Sequence, residues 1–259
     1  MSKQIAISII GYLLLILWYF SFKLSCYSLI IFFIINIFVF KASFEYSAAR
    51  RLCFANCYFK KDSFFFKIFT KKIIIYIINF IKGLVLTSII MLSMTVFSIT
   101  DFIILFFDIF IIFRLYNFFI KFDSLNQNIK NPIIKNGTAI VNAIFIMLTF
   151  LIINLYQTPP QYIQNDLLIT VHSASNQLCS LCPITDALIR LTNEIVAVKW
   201  WLMLDITINV DNKYYLKEIV WFFYLLGSYL MAFAYGRYIL EFGILFTSLI
   251  RRDIDERKR

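Results

Sequence analysis

The sequence predicts an all-α fold, a polytopic integral membrane bundle of about six transmembrane helices with a small, mainly helical extracytoplasmic segment. Three observations carry this prediction. First, 61% of the 259 residues are hydrophobic and only 15% charged, with a mean hydropathy of +0.80. A soluble domain of this length needs far more polar surface. Second, the apolar residues fall in long runs near the length a helix needs to cross the hydrocarbon layer. A transmembrane barrel would instead show dyad alternation, which is missing. Third, the charge of the links alternates from one side of the runs to the other.

The first run is about Ile5–Phe22, read as a retained helix because no small-residue cleavage pattern follows it. Residues 1–40 form a transmembrane hairpin, with a tight turn near Lys23 and a second helix over Leu24–Phe40. The third, fourth and fifth helices are expected near Ile73–Ser98, Phe102–Ile120 and Ala139–Tyr156, within residues 73–156. Residues 219–250 hold the last helix. It is read either as emerging near Arg237 to lie on the membrane or as running on unbroken. The charged tail 251–259 follows.

Between the second and third runs, residues 41–72 carry a net charge of +6. The link after the fourth run and the tail are each +2, whereas Gln157–Glu218 is −2. By the positive-inside rule both termini lie in the cytoplasm, with the chain in a bacterial inner (plasma) membrane. In an organellar inner membrane the termini would lie in the matrix or stroma.

The 41–72 link mixes aromatics with Arg50, Arg51, Lys60, Lys61, Lys67, Lys71 and Lys72. Such a segment suits anionic lipid headgroups or a partner subunit. Nucleic acid is not an expected partner, although the same residue types stack bases elsewhere. The outer segment, 157–218, is read as polar and irregular over Val171–Ser180 and helical from Pro183. There Leu188, Leu191, Ile195, Val198 and Leu202 mark one apolar face, expected to cover the bundle. Asp186–Arg190 and Arg190–Glu194 are favourable i,i+4 pairs, and Ile206–Val210 could form a short strand.

No catalytic constellation or phosphate loop is present: the chain has one His, His172, and no Gly-x-Ser-x-Gly. No metal or other cofactor is expected. Cys179 and Cys182 form a Cys-x-x-Cys in the outer segment, open to three readings: a local disulfide, two free thiols, or a redox-active pair. Cys53 and Cys57 read as two buried thiols sharing a helix face.

The intramembrane charges form a candidate polar network of Lys82, Asp101, Asp108, Arg114, Arg237 and Glu241. Ionisable groups inside a membrane span are costly and face a bundle interior or a water-filled path. Lys82 and Arg114 can instead reach the headgroups with their long side chains. Gly227, Gly236 and Gly243 mark a helix-packing face on the last helix.

These features leave three function classes. One is a non-catalytic subunit of a larger membrane complex, of the secretion/conjugation or respiratory/energy-coupling kind. Its partners are membrane lipids and other membrane subunits. The second is a small-molecule or ion transporter or channel using Asp108, Arg114, Arg237 and Glu241. The third is a membrane thiol-disulfide enzyme using Cys179 and Cys182.

Overall fold

Among the residues described by the computed structural model (2–60, 63–124, 131–156, 160–164, 166–177, 179–208 and 214–257), six helices are long and apolar enough to cross a membrane. They are α1 (Ser2–Ser21), α2 (Ser28–Tyr58), α4 (Lys72–Thr95), α5 (Ile99–Ser124), α6 (Asn131–Tyr156) and α9 (Tyr214–Arg257). Three shorter or peripheral helices join them: α3 (Phe64–Thr70), α7 (Leu167–Ser175) and α8 (Pro183–Ile208). The chain is an all-α, multi-pass membrane bundle. With six crossings, the turns after α1 and α4 lie on the side of α7 and α8. The α2–α4 link lies on the side of the N-terminus.

The helices outrun their apolar cores. α2 continues as one helix to Tyr58, through the first half of the basic link. No Gly or Pro interrupts residues 41–58, and Ala48, Ala49, Arg50, Arg51 and Leu52 favour helix. It stops where Phe59 turns extended and its N–H bonds Ala55 O. α9 is likewise one continuous 44-residue helix that does not break at Arg237. It is the central strut: 67% of its membrane window is buried, against 28–39% for the other five. It packs on α1, α2, α4, α5, α6 and α8.

Glycines permit the tightest crossings. A methyl on Gly243 would overlap Ser8 Oγ of α1 and stand 2.7 Å from the Phe113 ring of α5. Gly236 backs onto Ile112 and the Ala139 backbone, while Gly227 has nothing within 4 Å. The expected packing face is thus two glycines, not three. Two more that the sequence reading passed over act alike. Gly11 meets Phe242, and Gly83 meets Asn36 and Phe40 where α4 crosses α2. Phenols bind the core together, with Tyr238 donating to Gly11 O at 2.9 Å and Tyr235 to Leu105 O at 2.7 Å. The outer surface stays apolar, with Leu13, Leu17, Phe33, Ile77, Phe107 and Leu148 exposed where lipid tails would lie.

On the far side α7 and α8 pack together as a pair. The expected irregular stretch Val171–Ser180 is helix as far as Ser175, and its described remainder is irregular; Asp166 caps α7 by accepting from Leu168 N at 2.7 Å and Ile169 N at 3.3 Å. α8 runs through Ile208, so the described part of 206–210 is helix and not a strand. The Asp186–Arg190 pair forms at 2.7 Å. The Ser180 N–H, then Arg190, hold the Asp186 carboxyl below its usual range. The face that α8 buries is the reverse of the expected one. Thr185, Ile189, Asn193 and Ala197 point inward, whereas of the expected face Leu188, Leu191 and Ile195 are exposed and Val198 and Leu202 half-buried; Ile184 is exposed beside them. Beside a bilayer an apolar stripe does not specify the protein side, because lipid accepts it equally well.

Candidate functional site

A closed ring of charges joins three helices on the N-terminal side. α2 carries Lys41 and Glu45 one turn apart, and α9 carries Arg237 and Glu241 one turn apart. α6 opens with Asn131-Pro132, a favourable first turn, which sets Lys135 in its second turn. Lys135 Nζ lies 2.9 Å from Glu241 Oε2 and 3.2 Å from Glu45 Oε2. Lys41 Nζ completes the ring, 3.0 Å from Glu241 Oε1 and 3.6 Å from Glu45 Oε1. The 3.0 Å contact is an ion pair without hydrogen-bond alignment. Glu241 is 1% exposed, so it is the enclosed centre of the ring, while Lys41 and Glu45 form its open edge.

Arg237 extends the cluster without pairing directly to Glu241. Its guanidinium donates to Ala42 O at 2.6 Å and lies 5.3 Å from the Phe233 ring centroid and 5.6 Å from that of Tyr46. Glu45, Lys135, Arg237 and Glu241 surround a cavity of about 10 Å³, the size of one water molecule. The neighbouring cavity is far larger, about 1050 Å³. Arg237 and Asn136 line both.

Deeper in the bundle, Asp108 of α5 is 2% exposed. Its Oδ2 accepts from Asn142 Nδ2 at 2.9 Å, and its Oδ1 is buried with no partner. Asn142 stands seven residues beyond Lys135 on α6, about 10 Å along the axis. α6 therefore meets acid groups at two levels: Glu241 of α9 at the charged ring and Asp108 of α5 nearer the middle.

The other expected network members lie elsewhere. Asp101 caps α5, its Oδ2 accepting from Ser98 N at 2.8 Å and Ser98 Oγ at 2.7 Å. The Asp101 N–H returns a bond to Ser98 Oγ, making a reciprocal box. Arg114 is exposed on the outer face of α5, and Lys82 is exposed along the large cavity. Both have the long aliphatic stems that allow this. The expected six-residue network thus reduces to Arg237 and Glu241 in one cluster and Asp108 apart. Lys41, Glu45 and Lys135 were missed because they sit outside the apolar runs. The i,i+4 spacing of Lys41 and Glu45 was the available signal.

On the far side, Lys199 of α8 lines a cavity of about 580 Å³ with Asp101, Trp200 and Tyr224. Its ammonium lies 4.6 Å from the Tyr224 ring centroid. Burial pushes Lys199 down to about 8, opposed by the charge of Asp101.

The cysteines pair differently from any of the three readings. Cys182 is bonded to Cys26, and Cys179 is free and exposed. The reason is where α2 begins. Its first residue is Ser28, so Cys26 lies in the turn on the side of α8 rather than inside the membrane. Ser180 Oγ donates to Phe22 O at 2.5 Å and Leu181 N to Lys23 O at 3.3 Å, holding that turn against the start of α8. The Cys179–Cys182 bridge and the redox pair are therefore both corrected. Cys53 and Cys57 are exposed, not buried.

In the basic link, Arg50, Lys60, Lys67, Lys71 and Lys72 are exposed and Arg51 half-buried, whereas Lys61 lies outside the described residues. Among the described residues no group of three or more His, Cys, Asp or Glu is placed to hold a metal. No protein-family model, curated protein or solved structure matches this chain.

Proposed function

We propose that this chain is an ion or small-molecule transport protein in which Glu241 and Asp108 are the working acids. The observation that carries the reading is the enclosed Glu241, held at once by Lys41 of α2 and Lys135 of α6. Ion pairs of this kind inside a membrane bundle are expensive, and they mark paths for ions or substrates. The ring also supplies a two-state element. A proton on Glu241 cancels its attraction for both lysines, and Lys135 retains Glu45 as its partner. The ionic ties of α9 to α2 and α6 are then lost while Arg237 keeps its bond to Ala42 O, so a protonation event loosens one level of the α9 packing. Arg114, exposed on α5, has no part in this scheme. The charge asymmetry of the links supports an inner or plasma membrane with both termini cytoplasmic.

The test is flux through the purified chain in proteoliposomes carrying an internal pH or ion indicator. Transport above protein-free vesicles, lost in Glu241→Gln and Asp108→Asn, is the expected result. Flux no greater than that of empty vesicles under both a pH gradient and a membrane potential overturns the reading.

A second reading, a subunit of a larger membrane assembly, draws on a separate observation. Ile184, Leu188, Leu191 and Ile195 form an exposed apolar seam along α8. The mass of the particle extracted from its native membrane tests it: defined additional chains support it, and a monomer excludes it.

A further inference from the structure

The large cavity on the N-terminal side is an open groove among α2, α4, α6 and α9, and its lining is chemically divided. Arg50, Arg51, Lys82 and Arg237 contribute four cations, and among the described residues no carboxylate lines it. Among the described residues none of Arg50, Arg51 and Lys82 is paired with an acid; the nearby Glu45 is already engaged in the charged ring. The wall also carries Val85 and Leu86 of α4, Ile133 of α6 and Phe233 of α9, apolar residues of membrane-crossing helices, beside the neutral polar Ser43, Ser47, Asn79 and Asn136.

The groove runs from the interface inward. Cys57 and Tyr58 line it at the end of α2, beyond the apolar run. Lys82 is ten residues into α4, roughly 15 Å along the axis, which is about half of a 30 Å hydrocarbon core. Two buried polar atoms belong to residues of the same wall and have no partner, Ser43 Oγ and Asn136 Oδ1. Buried polar atoms of this kind are normally satisfied.

We propose that this groove holds one anionic phospholipid from the leaflet on the N-terminal side. Its phosphate lies among Arg50, Arg51, Lys82 and Arg237, and an acyl chain runs along Val85, Leu86 and Phe233. The charge of the groove selects the anion, and the depth of its apolar wall selects a lipid over a soluble phosphate. A volume of about 1050 Å³ accommodates a headgroup with part of its chains. This inference is independent of transport; an absence of flux leaves it standing.

Cys53 and Cys57 line the groove and report on its occupancy, while Cys179 is exposed on the other side of the membrane. The full chain is placed in nanodiscs of phosphatidylcholine with or without phosphatidylglycerol, and maleimide alkylation is followed at each cysteine. Phosphatidylglycerol should slow Cys53 and Cys57 about tenfold, the protection given by a ligand at roughly ten times its dissociation constant. Cys179 corrects for the surface charge of the disc. The triple substitution Arg50→Gln, Arg51→Gln and Lys82→Gln should abolish the protection. Native mass spectrometry of the wild-type chain should show one retained anionic lipid, a readout that does not depend on the variant folding. Equal alkylation in both discs, protection that persists in the triple variant, equal protection by inorganic phosphate in neutral discs, or no retained lipid would each overturn the proposal.

Discussion

Lys135 of α6 and Glu241 of α9 meet at 2.9 Å, and the same ammonium lies 3.2 Å from Glu45 of α2. One side chain thereby ties three helices, and its removal leaves an enclosed carboxylate with Lys41 alone. Removing one partner of a fully buried pair costs about 3–5 kcal/mol; surface pairs contribute less than about 1 kcal/mol. With Lys41 retained, Lys135→Met is expected to destabilise the protein by about 2 kcal/mol. Adding Glu241→Gln should recover part of that loss, because the carboxylate left short of a partner is then gone. Thermal unfolding of the single and double variants in one detergent measures the coupling. Strictly additive losses would show that the two groups do not act together.

The Cys26–Cys182 disulfide joins the α1–α2 turn to the start of α8. Cys182→Ser should free the α7–α8 pair at its α1–α2 attachment while leaving the membrane helices in place. A native disulfide contributes about 2–4 kcal/mol. The expected outcome is faster hydrogen exchange over 167–190 in Cys182→Ser and in Cys26→Ser alike. Cys179→Ser should leave exchange unchanged. A loss of protection confined to Cys179→Ser would show that the pairing lies elsewhere.

Two glycines of α9 separate close packing from mere composition. At Gly243 a methyl overlaps Ser8 and the Phe113 ring, and at Gly227 it meets open space. Gly243→Ala should cost about 1–3 kcal/mol through overpacking. Gly227→Ala should instead stabilise α9 by up to about 1 kcal/mol, the helix-propensity gain of alanine. Unfolding midpoints of the two variants decide the matter, and a destabilised Gly227→Ala would contradict the packing described.

The fold was legible because crossing a bilayer demands long apolar helices, and such runs are visible in any sequence. Which side of each helix faces protein was not legible, because lipid and core are equally apolar. The α8 stripe of Leu188, Leu191 and Ile195 was assigned inward and lies outward for that reason. The charged ring was half legible. Arg237 and Glu241 stood out inside an apolar run, whereas Lys41, Glu45 and Lys135 looked like link residues until α2 and α6 proved longer than their apolar cores. Cys26 was hidden by a helix start placed four residues early.

The remaining prediction concerns Lys199, a half-buried side chain whose ammonium packs against Tyr224 and is pushed down to about 8 from a usual value near 10.5. A lowered lysine pKa disfavours the charged folded state. Below pH 8 both states bind the proton, and the cost of burying the charge is present in full. Between pH 8 and 10.5 the unfolded chain keeps the proton while the folded chain releases it, so stability rises with pH across that window. Lys199→Met removes the buried charge. It should raise stability at pH 7 and abolish this part of the slope, so that the difference between variant and wild type shrinks steadily from pH 8 to 10.5. Taking that difference cancels the other groups that titrate in the same range. Unfolding midpoints of both proteins across pH 7 to 10.5 provide the measurement. A difference that stays constant with pH would mean that Lys199 reaches water in the folded protein, with its charge no more costly there than in the unfolded chain.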